Sequence, residues 1–245
     1  MVRFIQLGMR PYNEVLALQT KLREERIRGL IRDTVIFCEH PAVFTTGKRD
    51  CSDDWLSSAE RISADGIEVV RTDRGGRVTY HGPGQLVGYL IFDIKKMGLF
   101  VKEFVSKVEG SCMDALKRLG IDASRDKEHP GLWVGGEKIV AIGLNVSQGV
   151  SMHGFALNVY PVMGHYRHIV PCGIRGRGVT SMQRLLGYTP AMDDVVSALK
   201  ISIARTFGPY LDSSTATNVR SDSSEKTFST SAFLDSSGSE LKNSS

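Results

Sequence analysis

Residues 74–85 read Arg-Gly-Gly-Arg-Val-Thr-Tyr-His-Gly-Pro-Gly-Gln, and the organisation of the chain turns on them. Two glycine-rich breaks, Gly75-Gly76 and Gly82-Pro83-Gly84, bracket a short run with β character. Glycines this dense let a backbone turn at positive φ or approach a ligand closely. In an extended run, Thr79, Tyr80 and His81 send alternate side chains to opposite faces. Strands are expected at residues 67–71, 77–80 and 85–94, one after another with no helix between them. Consecutive strands of this kind predict an α/β (α+β) fold, a mixed or antiparallel sheet flanked by helices. A phosphate cradle is excluded on spacing. The chain has no GxxxxGK[ST], and Gly82-Pro83-Gly84 lacks a third glycine at the dinucleotide interval.

Upstream, residues 2–7, 34–38 and 42–46 read as strands. Residues 11–28 read as a helix with Tyr12, Val15, Leu16, Gln19, Leu22 and Ile27 on one face. A short helix is expected at 53–62, capped by Asp53. Downstream, residues 101–119 repeat apolar side chains at three and four and stop at Gly120, the clearest helix of the chain. A hairpin of 132–134 and 138–146 should turn at Gly135-Gly136. A strand at 150–160, a loop over 164–178 and a helix at 193–207 complete the pattern.

The chain is 41% hydrophobic and 24% charged, as in an ordinary globular protein. Residues 212–245 differ, with twelve serines and few large apolar residues. Such a stretch cannot bury enough apolar surface to offset its chain entropy and is expected to be disordered. Residues 1–211 are read as one domain. The formal net charge is +4, and the 212–245 segment carries five acids against three bases, so the rest is more basic still. A basic domain fits an acidic protein partner. No Lys/Arg-rich arm or RNA-binding aromatic motif suggests a nucleic acid, and no apolar run approaches the ~18 residues of a membrane span. The four cysteines form no CxxC pair and no ligand-like spacing with histidine, so neither a disulfide framework nor a zinc site is expected. The six histidines suggest no metal either.

Three segments carry candidate chemistry: 74–85, 138–156 and 171–181. Cys172 lies between Pro171 and Gly173 in a glycine-rich loop, with Arg175 and Arg177 close behind. A cysteine is ordinarily a small buried hydrophobe, the reading given to Cys38 and Cys112; Cys51 has no activating neighbour. Beside cations a thiolate is favoured, which makes Cys172 the candidate nucleophile among the four, with a place as a small packed hydrophobe the alternative. Lys138 opens an apolar run. Its ammonium either snorkels from the sheet edge or turns inward to a cysteine and favours the thiolate. His153 precedes Gly154-Phe155-Ala156, small enough for an extended ligand to lie alongside.

Together these segments resemble the lipoyl(octanoyl) transferase family. The likeness rests on Glu39-His40-Pro41 with Phe44-Thr45, the whole 74–85 run, residues 131–143 with Lys138, residues 151–158 with His153-Gly-Phe-Ala-Leu-Asn158, and Pro171-Cys172-Gly173 with Gly178-Val-Thr-Ser181. It spans residues 2 to about 208 and leaves the serine-rich segment outside. The resemblance implies a fold like that of biotin and lipoate protein ligases, with no cofactor and no metal. It implies transfer of octanoyl from acyl carrier protein to a lysine of the lipoyl domains of 2-oxoacid dehydrogenases or of the glycine-cleavage H protein. Carried over by motif, Cys172 is the nucleophile that forms an acyl-thioester, and Lys138 activates it. Arg74, Gly75, Gly76, Arg77, Val78, Thr79, Tyr80 and His81 line the substrate site, with Ala141, Ile142, Gly143, Gly154, Phe155 and Ala156. Backbone N–H groups around Gly173 are expected to hold the oxyanion. Passing an acyl group between thiols is near energy-neutral and making an amide runs downhill, so no nucleotide is required. Two other readings stay open: an ATP-dependent lipoate or octanoate ligase, and a non-catalytic lipoyl-domain-binding protein. The serine-rich segment and the wording Ile169-Val-Pro-Cys-Gly-Ile174 resemble eukaryotic members and imply a mitochondrial setting, with the cytoplasm as the alternative for a bacterial protein.

Overall fold

A computed structural model describes residues 1–212 of the chain; the serine-rich stretch expected to be disordered lies, from residue 213 on, outside the described residues. The elements in chain order are β1 (Arg3–Met9), α1 (Tyr12–Ile27), β2 (Thr34–Glu39), β3 (Val43–Thr46), α2 (Ala59–Ala64), β4 (Glu68–Arg71), β5 (Thr79–His81) and β6 (Gln85–Ile91). There follow α3 (Val101–Arg118), β7 (Ser124–Arg125), β8 (Leu132–Val134), β9 (Glu137–Ser147), β10 (Val150–Asn158), α4 (Met182–Leu186) and α5 (Met192–Asp212).

A seven-stranded sheet runs β1-β2-β6-β10-β9-β8-β7, and a three-stranded sheet runs β4-β3-β5. Both are mixed: β1 lies parallel to β2 and β3 to β4, and the remaining pairs are antiparallel. Alternation along the strands divides the core between the two faces of the large sheet. Phe37, Leu90, Phe155 and Leu157 pack under α3 and α5, whereas Ile36, Val87, Tyr89 and Ala156 pack under α1. Phe44, Val78, Tyr80 and Ile169 build a third cluster with the small sheet. The Gly135-Gly136 turn takes φ of 57° and 85°, positive at both positions as a tight hairpin demands, and sets Lys138 opposite Trp133.

Three departures from the sequence expectation bear on the elements around the site. Residues 53–62 are not one helix: a 3-10 turn covers Ser52–Asp54, and α2 starts after Ser58, whose hydroxyl accepts from the Arg61 N–H. The reason lies in Asp54, buried against the Arg77 guanidinium; Asp53 caps no helix there. Helix α4, capped by the Ser181 hydroxyl, has too few turns to show a period. The 164–178 loop contains two 3-10 turns, Met163–His168 and Pro171–Gly173.

Candidate active site

The second of those turns carries Cys172. Its backbone is left-handed, at φ 58° and ψ 15°, a conformation costing a non-glycine residue on the order of 1–2 kcal/mol. Its N–H donates to the Val78 carbonyl at 3.0 Å, tying the turn to the 74–85 run. The thiol is half-buried, whereas Cys38 and Cys112 are buried in the core, where burial pushes their thiols well up.

Where β10 ends at Asn158, residues 178–180 run on beside β9. The Lys138 N–H donates to the Gly178 carbonyl and the Thr180 N–H to the Lys138 carbonyl, each at 3.0 Å. The segment that follows Cys172 is thus stitched to the strand that carries Lys138. The lysine does not snorkel to solvent: it is buried, its Nζ donates to the Pro130 carbonyl at 3.1 Å and stands 4.8 Å from the centre of the Trp133 ring. Cys172 and Lys138 line the same cavity of about 390 Å³.

The 74–85 run and the two central strands supply the walls. Gly75 donates its N–H to the Leu144 carbonyl at 2.9 Å, and a Cβ at Gly143 would stand 2.9 Å from the Gly75 carbonyl oxygen. Only glycine lets the two segments close up. The cavity is lined by Arg74, Gly75, Gly76, Arg77, Thr79 and His81 from this run, and by Ala141, Ile142, Gly143, Gly154, Phe155 and Ala156 from β9 and β10. Val78 and Tyr80, read from sequence as substrate-lining, instead face the third core cluster, because alternation sends them to the other side. Sequence reasoning left out Tyr12, Arg49, Tyr89, Val101, Val105 and His153, which also line the cavity. Tyr12, Val101 and Val105 lie on helices whose apolar spacing reads simply as core. His153 carried a signal, since it starts a matched motif: its φ is 62°, and its Nε2 bonds Asp73 at 2.7 Å.

Arg74 is braced by neutral oxygens alone. Its Nε donates to Thr45 Oγ1 at 3.1 Å, Nη1 to the Gly75 carbonyl at 3.0 Å, and Nη2 to Thr45 Oγ1 at 2.9 Å and to the Thr45 carbonyl. Behind Thr45, His81 joins Thr45 Oγ1 at 3.4 Å, and its Nδ1 meets Gln85 Oε1 at 2.7 Å. The Gln85 amide continues to Asn158 at 2.9 Å, and the Asn158 amide to the Thr180 carbonyl at 3.0 Å. Gln85 Oε1 can only accept, so Nδ1 carries a proton, and in the neutral ring Nε2 is left to accept from the Thr45 hydroxyl. Burial pulls its pKa down to about 3. This polar chain links the 74–85 run, β10 and the segment after Cys172.

The loop cations look elsewhere. Arg175 donates to the Asp53 carbonyl at 2.9 Å, and Arg177 pairs with Asp126 and stacks 3.5 Å from the Trp133 ring centre. Neither lines the cavity that Cys172 shares with the buried Arg74 and Lys138, so the expected pairing of Cys172 with the loop cations is not found. The backbone oxyanion donors expected around Gly173 are also spent, since the Gly173 N–H donates to Val170 at 3.0 Å and the Ile174 N–H to Pro171 at 3.1 Å. His165 bonds the Tyr80 hydroxyl and His168 bonds Asp65, so both brace the turn that carries them.

A seven-stranded mixed sheet wrapped by helices, with a glycine-walled cavity at its centre, is the fold of the lipoate and biotin protein ligases. A putative lipoate protein ligase of T. acidophilum with bound lipoic acid superposes with a TM-score of 0.65 at 18% identity, over 84% of this chain and 86% of that one. A biotin protein ligase of Aquifex aeolicus superposes with a TM-score of 0.53 at 15% identity, over 86% and 72% of the two chains. The chain belongs to the lipoyl protein ligase A/B catalytic domain family, whose model matches residues 11–204. An octanoyltransferase of Alkaliphilus metalliredigens is 48% identical over 75% of this chain and 85% of that one; one of Caldicellulosiruptor saccharolyticus is 44% identical over 82% and 87%. The resemblance to the lipoyl(octanoyl) transferases therefore holds, and the protein is an acyltransferase.

Proposed function

We propose that the protein transfers octanoyl from acyl carrier protein to a lysine of a lipoyl domain or of the glycine-cleavage H protein, through a thioester on Cys172. The observation that carries the mechanism is the burial of Lys138 in the wall of the cavity that Cys172 also lines. An ammonium held there favours the thiolate, the nucleophilic form. The Cys172 sulfur bonds to the acyl carbon, the carrier sulfur leaves as a thiolate, and that thiolate takes a proton from the Lys138 ammonium, which leaves Lys138 neutral. In the second step the acceptor amine attacks the acyl-cysteine, an amide forms, and Cys172 is released as a thiol. The amine must first lose its proton, and Lys138 in its neutral form is the base proposed for this.

The basic charge of the chain supports an acidic donor and acceptor. The relatives' name supports octanoyl as the group moved. Both relatives are bacterial, which supports the cytoplasmic setting and gives the mitochondrial one no support; no described helix is long and apolar enough to cross a membrane. We assign catalysis to residues 1–211, since the family match ends at residue 204, before the serine-rich segment. The reaction is tested by offering octanoyl carrier or free octanoate with ATP and magnesium to the same acceptor domain. Acceptor octanoylation from the carrier alone is expected. Ligation of the free acid would establish an ATP-dependent ligase instead.

A further inference from the structure

We propose that the Arg74 guanidinium is the oxyanion donor of acyl transfer: its uncommitted Nη1 N–H receives the carbonyl oxygen of the acyl thioester as Cys172 attacks. This rests on the transfer reading above and deepens it. As the bond from sulfur to the acyl carbon forms, the C=O π pair moves onto oxygen. On collapse it returns, the bond to the carrier sulfur breaks, and the carrier thiolate takes up a proton from the Lys138 ammonium.

The first support is electrostatic. Four cations line the cavity: Arg49, Arg74, Arg77 and Lys138. Arg77 is neutralised by Asp54, with bonds of 2.6 and 3.0 Å, and Arg49 is exposed to solvent. Arg74 is 7% exposed, and among the described residues no carboxylate lies within 4.0 Å of it. A buried charge without a counter-charge is expensive, and arginine does not escape by losing its proton. Burial lowers its proton affinity, and the foremost opposing influence is the charge of Cys172. The site is built to receive negative charge, first on sulfur and then on the acyl oxygen.

The second support is the count of donors. A guanidinium has five N–H bonds. Four are directed at Thr45 and Gly75, and the fifth, on Nη1, is left over. A rigid fork held on its other edges aims the remaining bond without further ordering, as transition-state stabilisation requires.

The third is access. A Cβ at Gly76 would stand 3.5 Å from Nη1, and one at Gly143 would stand 3.8 Å from it and 3.3 Å from Arg74 Cδ. Two glycines thus leave uncovered the nitrogen with the spare hydrogen. The nearby backbone donors of Cys172, Gly173 and Ile174 are already spent within the protein.

Two reactions of the same sulfur separate this role from help in ionising it. Alkylation by iodoacetamide requires the thiolate but builds no charge on an acyl oxygen; acylation by octanoyl carrier requires both. At one pH, Arg74→Gln is expected to slow acylation by roughly 10²–10³-fold more than it slows alkylation, with donor KM little changed. Equal slowing of the two reactions, or a loss confined to KM, would overturn the assignment. Should Arg74→Gln fail to fold, as read by circular dichroism and melting, Arg74→Lys keeps the charge but not the directed fork. An excess loss of at least about tenfold is expected for it, and equal loss again overturns the role. Wild-type protein that forms no acyl adduct overturns the transfer reading and the role with it.

Discussion

Cys172 stands at φ 58° with its N–H bound to Val78, so the turn fixes the proposed nucleophile against the very run that walls the cavity. Two buried cations, Arg74 and Lys138, share that cavity, and Pro130 and Trp133 hold the second in place. Lys138→Ala is expected to slow alkylation of Cys172 at neutral pH and to move its pH dependence upward. A tenfold loss of thiolate there represents about 1.4 kcal/mol of electrostatic preference. An unchanged alkylation profile would remove Lys138 from thiol activation. At this scale the sequence was legible wherever a motif was long: fourteen of the sixteen residues read from it line the cavity. The charge state of each side chain was not legible. Whether Asp54 neutralises Arg77 or Arg74 depends on contacts that no local pattern contains, and the pairing with Arg77 leaves Arg74 unpaired.

Among the elements, the close packing of β6, β9 and β10 shapes the cavity. Gly154 pairs with Tyr89 on one side and Gly143 on the other, and a Cβ there would lie 2.0 Å from the Gly88 carbonyl oxygen. Because that obstacle is backbone, Gly154→Ala is expected to reduce the urea-unfolding free energy by about 3 kcal/mol, the upper end of overpacking costs. Unchanged stability would show that the strands can separate freely at that point. Long elements were readable because burial imprints a period: α3 and the Gly135-Gly136 hairpin fall where pattern and turn chemistry put them. Residues 53–62 misled because an aspartate before a polar helical stretch looks like a cap, while here Asp54 answers a cation 23 positions away. The pairing of residues 178–180 with β9 has no sequence signature, since it depends on where β10 ends.

Across the whole molecule, two buried neutral histidines join the halves of the fold. His40 bonds the Tyr89 hydroxyl at 2.8 Å and the Arg10 carbonyl at 2.7 Å, and His81 anchors the chain behind Arg74. Burial pulls His40 from 6.5 to about 4 and His81 to about 3. Below pH 6.5 the unfolded chain binds protons that the folded one refuses, so this stability is complete above 6.5 and is lost as pH falls toward about 4. Each histidine contributes up to about 1.4 kcal/mol per pH unit in that window. The urea midpoint is therefore expected to drop between pH 7 and pH 5, and a flat midpoint would show that neither histidine is buried neutral. Sheet order and the parallel β1–β2 pair were not readable, because they join segments far apart in sequence. The chemistry at the centre of the fold is tested most directly by intact-protein mass spectrometry after mixing the protein with octanoyl carrier. One octanoyl group, labile to hydroxylamine and absent from Cys172→Ser, is the expected result. An unmodified Cys172 in a protein that still octanoylates its acceptor would contradict the thioester mechanism.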